Sequence, residues 1–327
     1  MKRSESTRSS FYVAEFAKNL MKPRNIPIIL YLLIDSVFIF IALMIVCRFC
    51  LDGKFDNPTQ MTLLCALLSF VIYIGSIALS LSRVGEAFLR WKHKCKRIKD
   101  DNILNRVEPL FNEVYERAKE LNPKICENIR LFIQEDDGPN AFSLGRRTVC
   151  ITTGLLALDD RQIKAVMAHE FGHLSNQDTD LTLVVNVANT FIHLIFIIIW
   201  VLLFLFKLIL RVITLLFAFA GEGAAAVLGA ICDFLFTVIS FVCVRLVEKI
   251  WNIIGNLLLM FSSRGAEFKA DLFAKNLGYG DDLINFFETF PDSSPGKRSK
   301  FTLIISKMST IGASHPATWR RIENLRK

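Results

Sequence analysis

Two apolar runs near the start of the chain, Ile26–Cys47 and Met61–Leu81, are each about the 20 residues that a helix needs to cross a ~30 Å hydrocarbon layer. Asp35 is the one charge within the first. A second apolar block fills Leu181–Phe261. In it, 181–206 reads as one span and a second span lies within 234–261. Residues 207–233 carry Lys207, Arg211 and Asp233. They are compatible with extensions of the two helices, an interfacial amphipathic segment, or an additional pair of crossings. With 52% hydrophobic residues and 28 Phe in 327 residues, the chain is too apolar for an ordinary soluble enzyme. It reads as a membrane protein carrying one modest polar domain.

The formal charge of +8 would suggest a nucleic-acid partner in a soluble protein. Here the basic residues flank apolar runs, so the expected partner is the lipid bilayer and no nucleic acid is expected. Lys2, Arg3, Arg8, Lys18, Lys22 and Arg24 precede the first span, and Arg90, Lys92, Lys94, Lys96, Arg97 and Lys99 follow the second. The loop 48–60 and the Gly221-Glu222-Gly223 turn lack such an excess. By the positive-inside rule 1–25, 83–180 and 262–327 are cytoplasmic. That requires an even number of crossings, two or four, between 181 and 261. The largely polar and basic start reads as a retained signal anchor. The eight cysteines are scattered. The pair Cys47-Arg-Phe-Cys50 stands alone at the edge of a span, where burial is the simpler reading. The expected division is a cytoplasmic segment 1–25, a transmembrane hairpin 26–83, a first polar part 84–180 that holds His169–His173, a transmembrane block 181–261 and a second polar part 262–327 that holds Glu267.

Within the polar parts, Val107, Leu110, Phe111, Val114 and Ala118 mark a helix over Val107–Leu121, with Pro109 close to its start. Ile129–Gln134 alternates like a strand. Asn140–Leu144 and Thr148–Thr152 read as further extended pieces broken at Gly145. Glu267–Leu277, Asp281–Phe290, Phe301–Ser309 and Thr318–Lys327 read as helices, with a loop at Pro291–Lys300.

His169-Glu170-Phe171-Gly172-His173 carries the chemistry. Ile163, Val166 and Met167 before it are spaced as one buried helix face, and Asp159 and Asp160 suit a helix start. On such a helix His169 and His173 project from the same side and can hold one Zn²⁺ per chain. Glu170, about 100° round the axis, reaches a water on the metal instead of the metal itself. A catalytic zinc needs a third protein ligand. His93 lies in a lysine-rich run, His193 in a span and His315 near the end of the chain. Glu267 is the stronger choice: it follows the last apolar segment as His173 precedes the first. Asp271, one turn on, is placed to accept the free N–H of a liganding imidazole. The competing reading makes Glu267 and Asp271 a solvated helix face.

Four passages together resemble the HtpX-type membrane zinc metalloproteases, distant relatives of the CAAX prenyl proteases. They are Asn140-Ala141-Phe142 with Cys150–Leu156, His169–His173 with Asn176 and Asp178, Ser263-Arg264 with Glu267-Phe268-x-Ala270-Asp271, and His315-Pro316 with Arg321-Ile322. The chain departs from that pattern at Ala266, where a basic residue is usual, and in the length of 181–261. The resemblance implies a predominantly α membrane protein: transmembrane helices plus a cytoplasmic α+β zincin-like metallopeptidase domain assembled from two segments. It implies a multi-pass cell-membrane endopeptidase of protein quality control and stress response that cleaves misfolded or damaged membrane proteins. Glu170 would act as general base toward a zinc-bound water. His315 and Arg321 would be donors to the tetrahedral oxyanion; the alternative is a helix-starting His-Pro and a basic tail. An extended substrate would pair with an edge strand at Asn140–Leu144 or Thr148–Thr152, making Asn140, Ala141 and Phe142 substrate-binding residues. Other readings are a prenyl-protein processing enzyme and a non-catalytic membrane interaction protein.

Overall fold

A computed structural model of the chain describes residues 16–50, 57–218, 222–290 and 317–327. The chain forms two compact units. One comprises Met1–Leu33, Ile72–Val187 and Leu257–Lys327; the other comprises Ile34–Val71 and Ala188–Asn256.

Among the described residues, four helical stretches are long and apolar enough to cross a membrane: Ile26–Arg48, Pro58–Ser80, His193–Leu216 and Ala226–Gly255. The first two belong to helices α1 (Ile26–Cys50) and α2 (Pro58–Ser80). Their side chains are apolar all round, as a helix facing lipid requires, and Leu33, Ile41, Leu63 and Phe70 are exposed. In the second unit Phe38 packs its ring 5.4 Å from those of Phe196 and Trp251. Cys47 and Cys65 are buried beside Met61. Of the segment 207–233, the described residues belong to two helices, α6 (Asp178–Ala218) and α7 (Glu222–Ile239). Its charges face one another: Lys207 reaches Asp233 at 3.0 Å, and Arg211 bonds the same carboxylate. His193 pairs with Glu248.

The first unit holds the polar elements. A short helix α3 (Arg83–Lys92) follows α2 and is capped by Ser82. Helix α4 (Asp101–Leu121) starts six residues before the expected Val107, because the Asp100 carboxylate accepts from the Asn102 and Ile103 amides. Pro109 therefore lies inside it. Proline removes one helical hydrogen bond, and burial of Val107, Phe111, Val114 and Ala118 offsets that loss. Strands β1 (Arg130–Gln134), β2 (Ala141–Leu144) and β3 (Thr148–Thr152) form a sheet in the order β1-β3-β2. β1 runs parallel to β3 and β2 antiparallel to it. Thr148–Thr152 is thus the central strand, wholly buried, and offers no edge to a substrate. This corrects one of the two edges expected from the sequence. The outer side of β1 is bridged by Lys96 at Ile133, which leaves the outer side of β2.

Helix α5 (Asp160–Asn176) lies against β2 and α4. Asp159 caps it, accepting from the Gln162 amide at 2.8 Å. Ile163, Val166, Met167 and Phe171 are buried in a core shared with Phe111, Val149, Ile151 and Leu283. Gln177, with φ 59°, ends the helix in a left-handed turn, and α6 begins at the next residue. Helix α8 (Val247–Ala274) runs without interruption from the last span into the polar part. Helices α9 (Gly280–Thr289) and α10 (Thr318–Arg326) complete the described chain. Phe301–Ser309 and the loop at Pro291–Lys300 lie outside the described residues.

Candidate metal centre

Helices α5 and α8 bring the site together. His169 and His173, one turn apart, aim their Nε2 atoms toward each other at 3.2 Å. Glu267 reaches both: its Oε2 lies 3.4 Å from His169 Nε2 and its Oε1 lies 3.4 Å from His173 Nε2. An ion with tetrahedral bonds of about 2.0–2.1 Å holds its donors about 3.3 Å apart. The two imidazole nitrogens have about that spacing and each lies 3.4 Å from one oxygen of the Glu267 carboxylate, so the residues present fit a small tetrahedral cation such as Zn²⁺. The carboxylate of Glu170 also comes within 4.8 Å of the imidazole nitrogens. Its Oε2 accepts a hydrogen bond from Ser143 Oγ at 2.9 Å, whereas the Glu267 carboxylate spans both imidazoles.

The surroundings orient these groups. His169 Nδ1 lies 3.0 Å from Asp271 Oδ1. A proton on Nδ1 donated to Asp271 leaves the Nε2 lone pair facing the donor cluster. Asp271 is in turn held by Arg321 of α10, whose Nε and Nη2 donate to its two oxygens at 2.9 and 2.6 Å. Arg321 Nη1 stands 3.4 Å from Glu267 Oε2, and its guanidinium lies 4.2 Å over the Phe287 ring. The second imidazole has a looser neighbour, with Asp178 Oδ2 3.9 Å from His173 Nδ1. That distance is electrostatic contact and not a hydrogen bond.

The electrostatics favour a cation. Burial pulls His169 down and Arg321 adds to this, but Asp271 and Glu267 outweigh both and leave the imidazole above its ordinary range. Burial also pulls His173 down, yet Asp178, Glu267 and Glu170 hold it well above that range. Burial would raise the Asp271 carboxyl, but the Arg321 fork and His169 hold it low. A pocket that raises two buried imidazoles stabilises positive charge, and a metal ion competes with those protons for the same nitrogens.

Of the residues singled out in the sequence, His169, Glu170, His173, Glu267, Asp271 and Arg321 are within one cluster. His315 lies outside the described residues. Asn140 immediately precedes β2, where its carbonyl accepts from the Thr152 amide at 2.9 Å. Ala141 is buried in the core, while Phe142 turns to the opposite face of the strand and packs 5.8 Å from the His93 ring. Ser143, which touches Glu170, was not singled out. The period-two alternation that puts Ala141 on the α5 face puts Ser143 there also, and that was its one signal in the sequence.

Apolar helices long enough to cross a membrane, together with a small mixed sheet and an H-E-x-x-H helix packed on that sheet, are the parts of a membrane metallopeptidase. The chain belongs to peptidase family M48, whose profile matches residues 105–327. It is 25% identical over 279 residues to Protease HtpX of Pseudoalteromonas atlantica, covering 80% of this chain and 86% of that protein. It is also 25% identical over 294 residues to the Protease HtpX homolog of Bacillus subtilis, with 85% and 87% covered. A crystal structure of S. mikatae Ste24p aligns with a TM-score of 0.41 at 16% identity, over 89% of this chain and 62% of that one.

Proposed function

We propose that this metallopeptidase is a zinc endopeptidase that hydrolyses peptide bonds of misfolded or damaged membrane proteins at a cytoplasmic site. His169, His173 and Glu267 hold one Zn²⁺, and Glu170 is the general base. The carrying observation is the spacing of 3.2 to 3.4 Å among three donors on two helices. The membrane assignment of the substrate rests on α6 and α8, which continue from the site into apolar spans. The basic flanks of the first two spans support the cytoplasmic side.

When bound, the metal supplies Lewis acidity to the scissile carbonyl and to the attacking water. Glu170 takes the proton of that water and delivers it to the leaving amine. Ser143 fixes which way the Glu170 carboxylate points. Hydrogen-bonding alternation along β2 starts from the Asn140–Thr152 bond, so the amides of Ala141 and Ser143 face the open edge. An extended substrate adding there would run past Glu170, with Asn140, Ala141 and Phe142 beside it. Backbone pairing of that kind gives weak sequence selectivity. The bidentate bond from Arg321 to Asp271 supports a role in holding the ligands, ahead of the oxyanion role the resemblance implies. His315 retains its assignment as an oxyanion donor.

The test uses the full chain in detergent, stripped by chelation and reloaded with Zn²⁺, with an unfolded membrane protein as substrate. Glu170→Gln should retain zinc and lose at least about 100-fold in rate. Equal rates for Glu170→Gln and the parent would remove the general base. Unchanged zinc affinity in Glu267→Ala would remove the third ligand.

A further inference from the structure

Outside the metal centre, the chain builds a second charged cavity, of about 320 Å³, between α3 and the end of β1. Arg83, Arg90, Arg97, Arg130 and Arg147 line it. Glu86 is the one carboxylate in the lining, and it is already engaged: one oxygen accepts from the Arg146 amide at 2.9 Å and the other lies 3.7 Å from Arg90. Arg90 is pinned in place, donating to Thr148 Oγ1 at 3.0 Å and lying 5.1 Å over the Phe132 ring. Among the described residues, no carboxylate forms an ion pair with Arg83, Arg97, Arg130 or Arg147. Like charges gathered around one cavity repel, and an anion bound between them reverses that cost. Guanidinium forks, unlike lysine ammonium groups, match the paired oxygens of a phosphate.

The position of the cavity selects the form of the phosphate. Arg83 follows the end of the Pro58–Ser80 span by three residues, a distance of at most about 10 Å. The headgroup layer beside the hydrocarbon is about 5–7 Å thick on each side. Helix α3 itself is amphipathic. Val84, Phe88 and Trp91 form one stripe at helical spacing; Val84 is 63% exposed and Trp91 76%. The Phe88 and Trp91 rings lie 5.9 Å apart. An exposed apolar stripe ending in tryptophan, directly after a span, is the signature of a helix lying in the membrane interface. Arg83, Glu86 and Arg90 occupy another side of the same helix and line the cavity.

We infer that this cavity is a binding site for the phosphate of an anionic phospholipid headgroup, with α3 lying in the interface and its arginines gripping the phosphate. The chemistry is that of a phosphate monoanion or diester, and the apolar stripe favours the lipid over a free phosphate ester.

The test uses the full chain, delipidated in neutral detergent and mixed with micelles of phosphatidylcholine or phosphatidylglycerol. Lipid retention is read by native mass spectrometry and by the thermal midpoint. Phosphatidylglycerol should be retained and should raise the midpoint; phosphatidylcholine should do neither. Arg97→Gln with Arg130→Gln, both exposed positions, should weaken retention at least about tenfold with zinc content unchanged. Lys92→Gln with Lys99→Gln removes the same charge outside the cavity and should leave retention intact. Equal losses in the two double variants would reduce the effect to general surface charge and overturn the site. Inorganic phosphate or glycerol phosphate raising the midpoint, with no phosphatidylglycerol retained, would overturn the lipid as occupant. Circular dichroism of each variant separates misfolding from loss of the site, and the single Arg97→Gln serves if the double variant does not fold.

Discussion

Gly172 of α5 faces Ala270 of α8 so closely that a Cβ built on the glycine would lie 2.6 Å from the Ala270 Cα and 2.9 Å from its carbonyl oxygen. The contact falls between residues of the candidate metal centre on both helices. Gly172 stands between His169 and His173, and Ala270 between Glu267 and Asp271. An alanine at 172 would favour an isolated helix by about 1 kcal/mol. Here the clash is with backbone, which no rotamer change relieves, so the helices must separate. Gly172→Ala is expected to lower zinc affinity by at least about tenfold, as donors drift from the spacing that a tetrahedral ion needs. It should also lower the thermal midpoint. Chelator competition measures the first; a variant that holds zinc as tightly as the parent and melts no lower would show that this approach does not set the site.

Local chemistry made part of this legible in advance. The phase of Ile163, Val166 and Met167, the Asp159 cap and the i, i+4 imidazoles are all properties of one helix, and the apolar lengths of the spans depend on nothing remote. Glu267 and Asp271 share a helix face for the same reason. Strand order is different: Thr148–Thr152 reads like an edge strand, and its central place follows only from β1 and β2 pairing on either side of it. Pro109 argued for a late helix start, and tertiary burial of the α4 face overrode it. The Ser143–Glu170 bond and the Arg321 fork on Asp271 join residues 27 and 50 positions apart, where periodicity carries no information.

Ser143 is expected to act through Glu170. Its hydroxyl donates to the Glu170 Oε2 at 2.9 Å. A hydrogen bond to a charged group contributes about 1.5–3 kcal/mol. Ser143→Ala should therefore lower kcat by about tenfold or more, while KM and zinc content stay near those of the parent. Steady-state kinetics on the zinc-loaded protein decide the matter. A change confined to KM would instead assign Ser143 to substrate binding at the β2 edge.

Arg321 tests positioning against direct catalysis. It is buried, with two N–H groups on Asp271 and a third nitrogen beside Glu267. Removing one partner from such a buried charge network costs about 3–5 kcal/mol. Arg321→Ala should lower the thermal midpoint markedly and weaken zinc binding. Arg321→Lys keeps the charge but not the fork, so an intermediate loss is expected. If either variant kept its stability and zinc but lost kcat alone, the guanidinium would be an oxyanion donor after all.

The last prediction concerns Asp180, at the start of α6. Its carboxylate is fully buried and bonded by Arg146 Nε at 2.7 Å. Burial pushes the group up to about 6 from an ordinary 3.8, with Arg146 pulling the other way and Glu86 adding to the rise. For an acid raised on folding, the folded state keeps a proton that the unfolded state releases between those two values. The stability the group contributes is therefore present below pH 3.8, falls as pH rises toward 6, and is level above that. The span corresponds to at most about 3 kcal/mol. Asp180→Asn cannot titrate, so the parent-minus-variant gap in thermal midpoint isolates this group from every other carboxylate. That gap should shrink or change sign between pH 4 and pH 6 (an interval of about two units) and then hold constant to pH 8, roughly the limit set by other groups. A gap that stays flat across the whole range would mean that Arg146 compensates the burial of Asp180 in full.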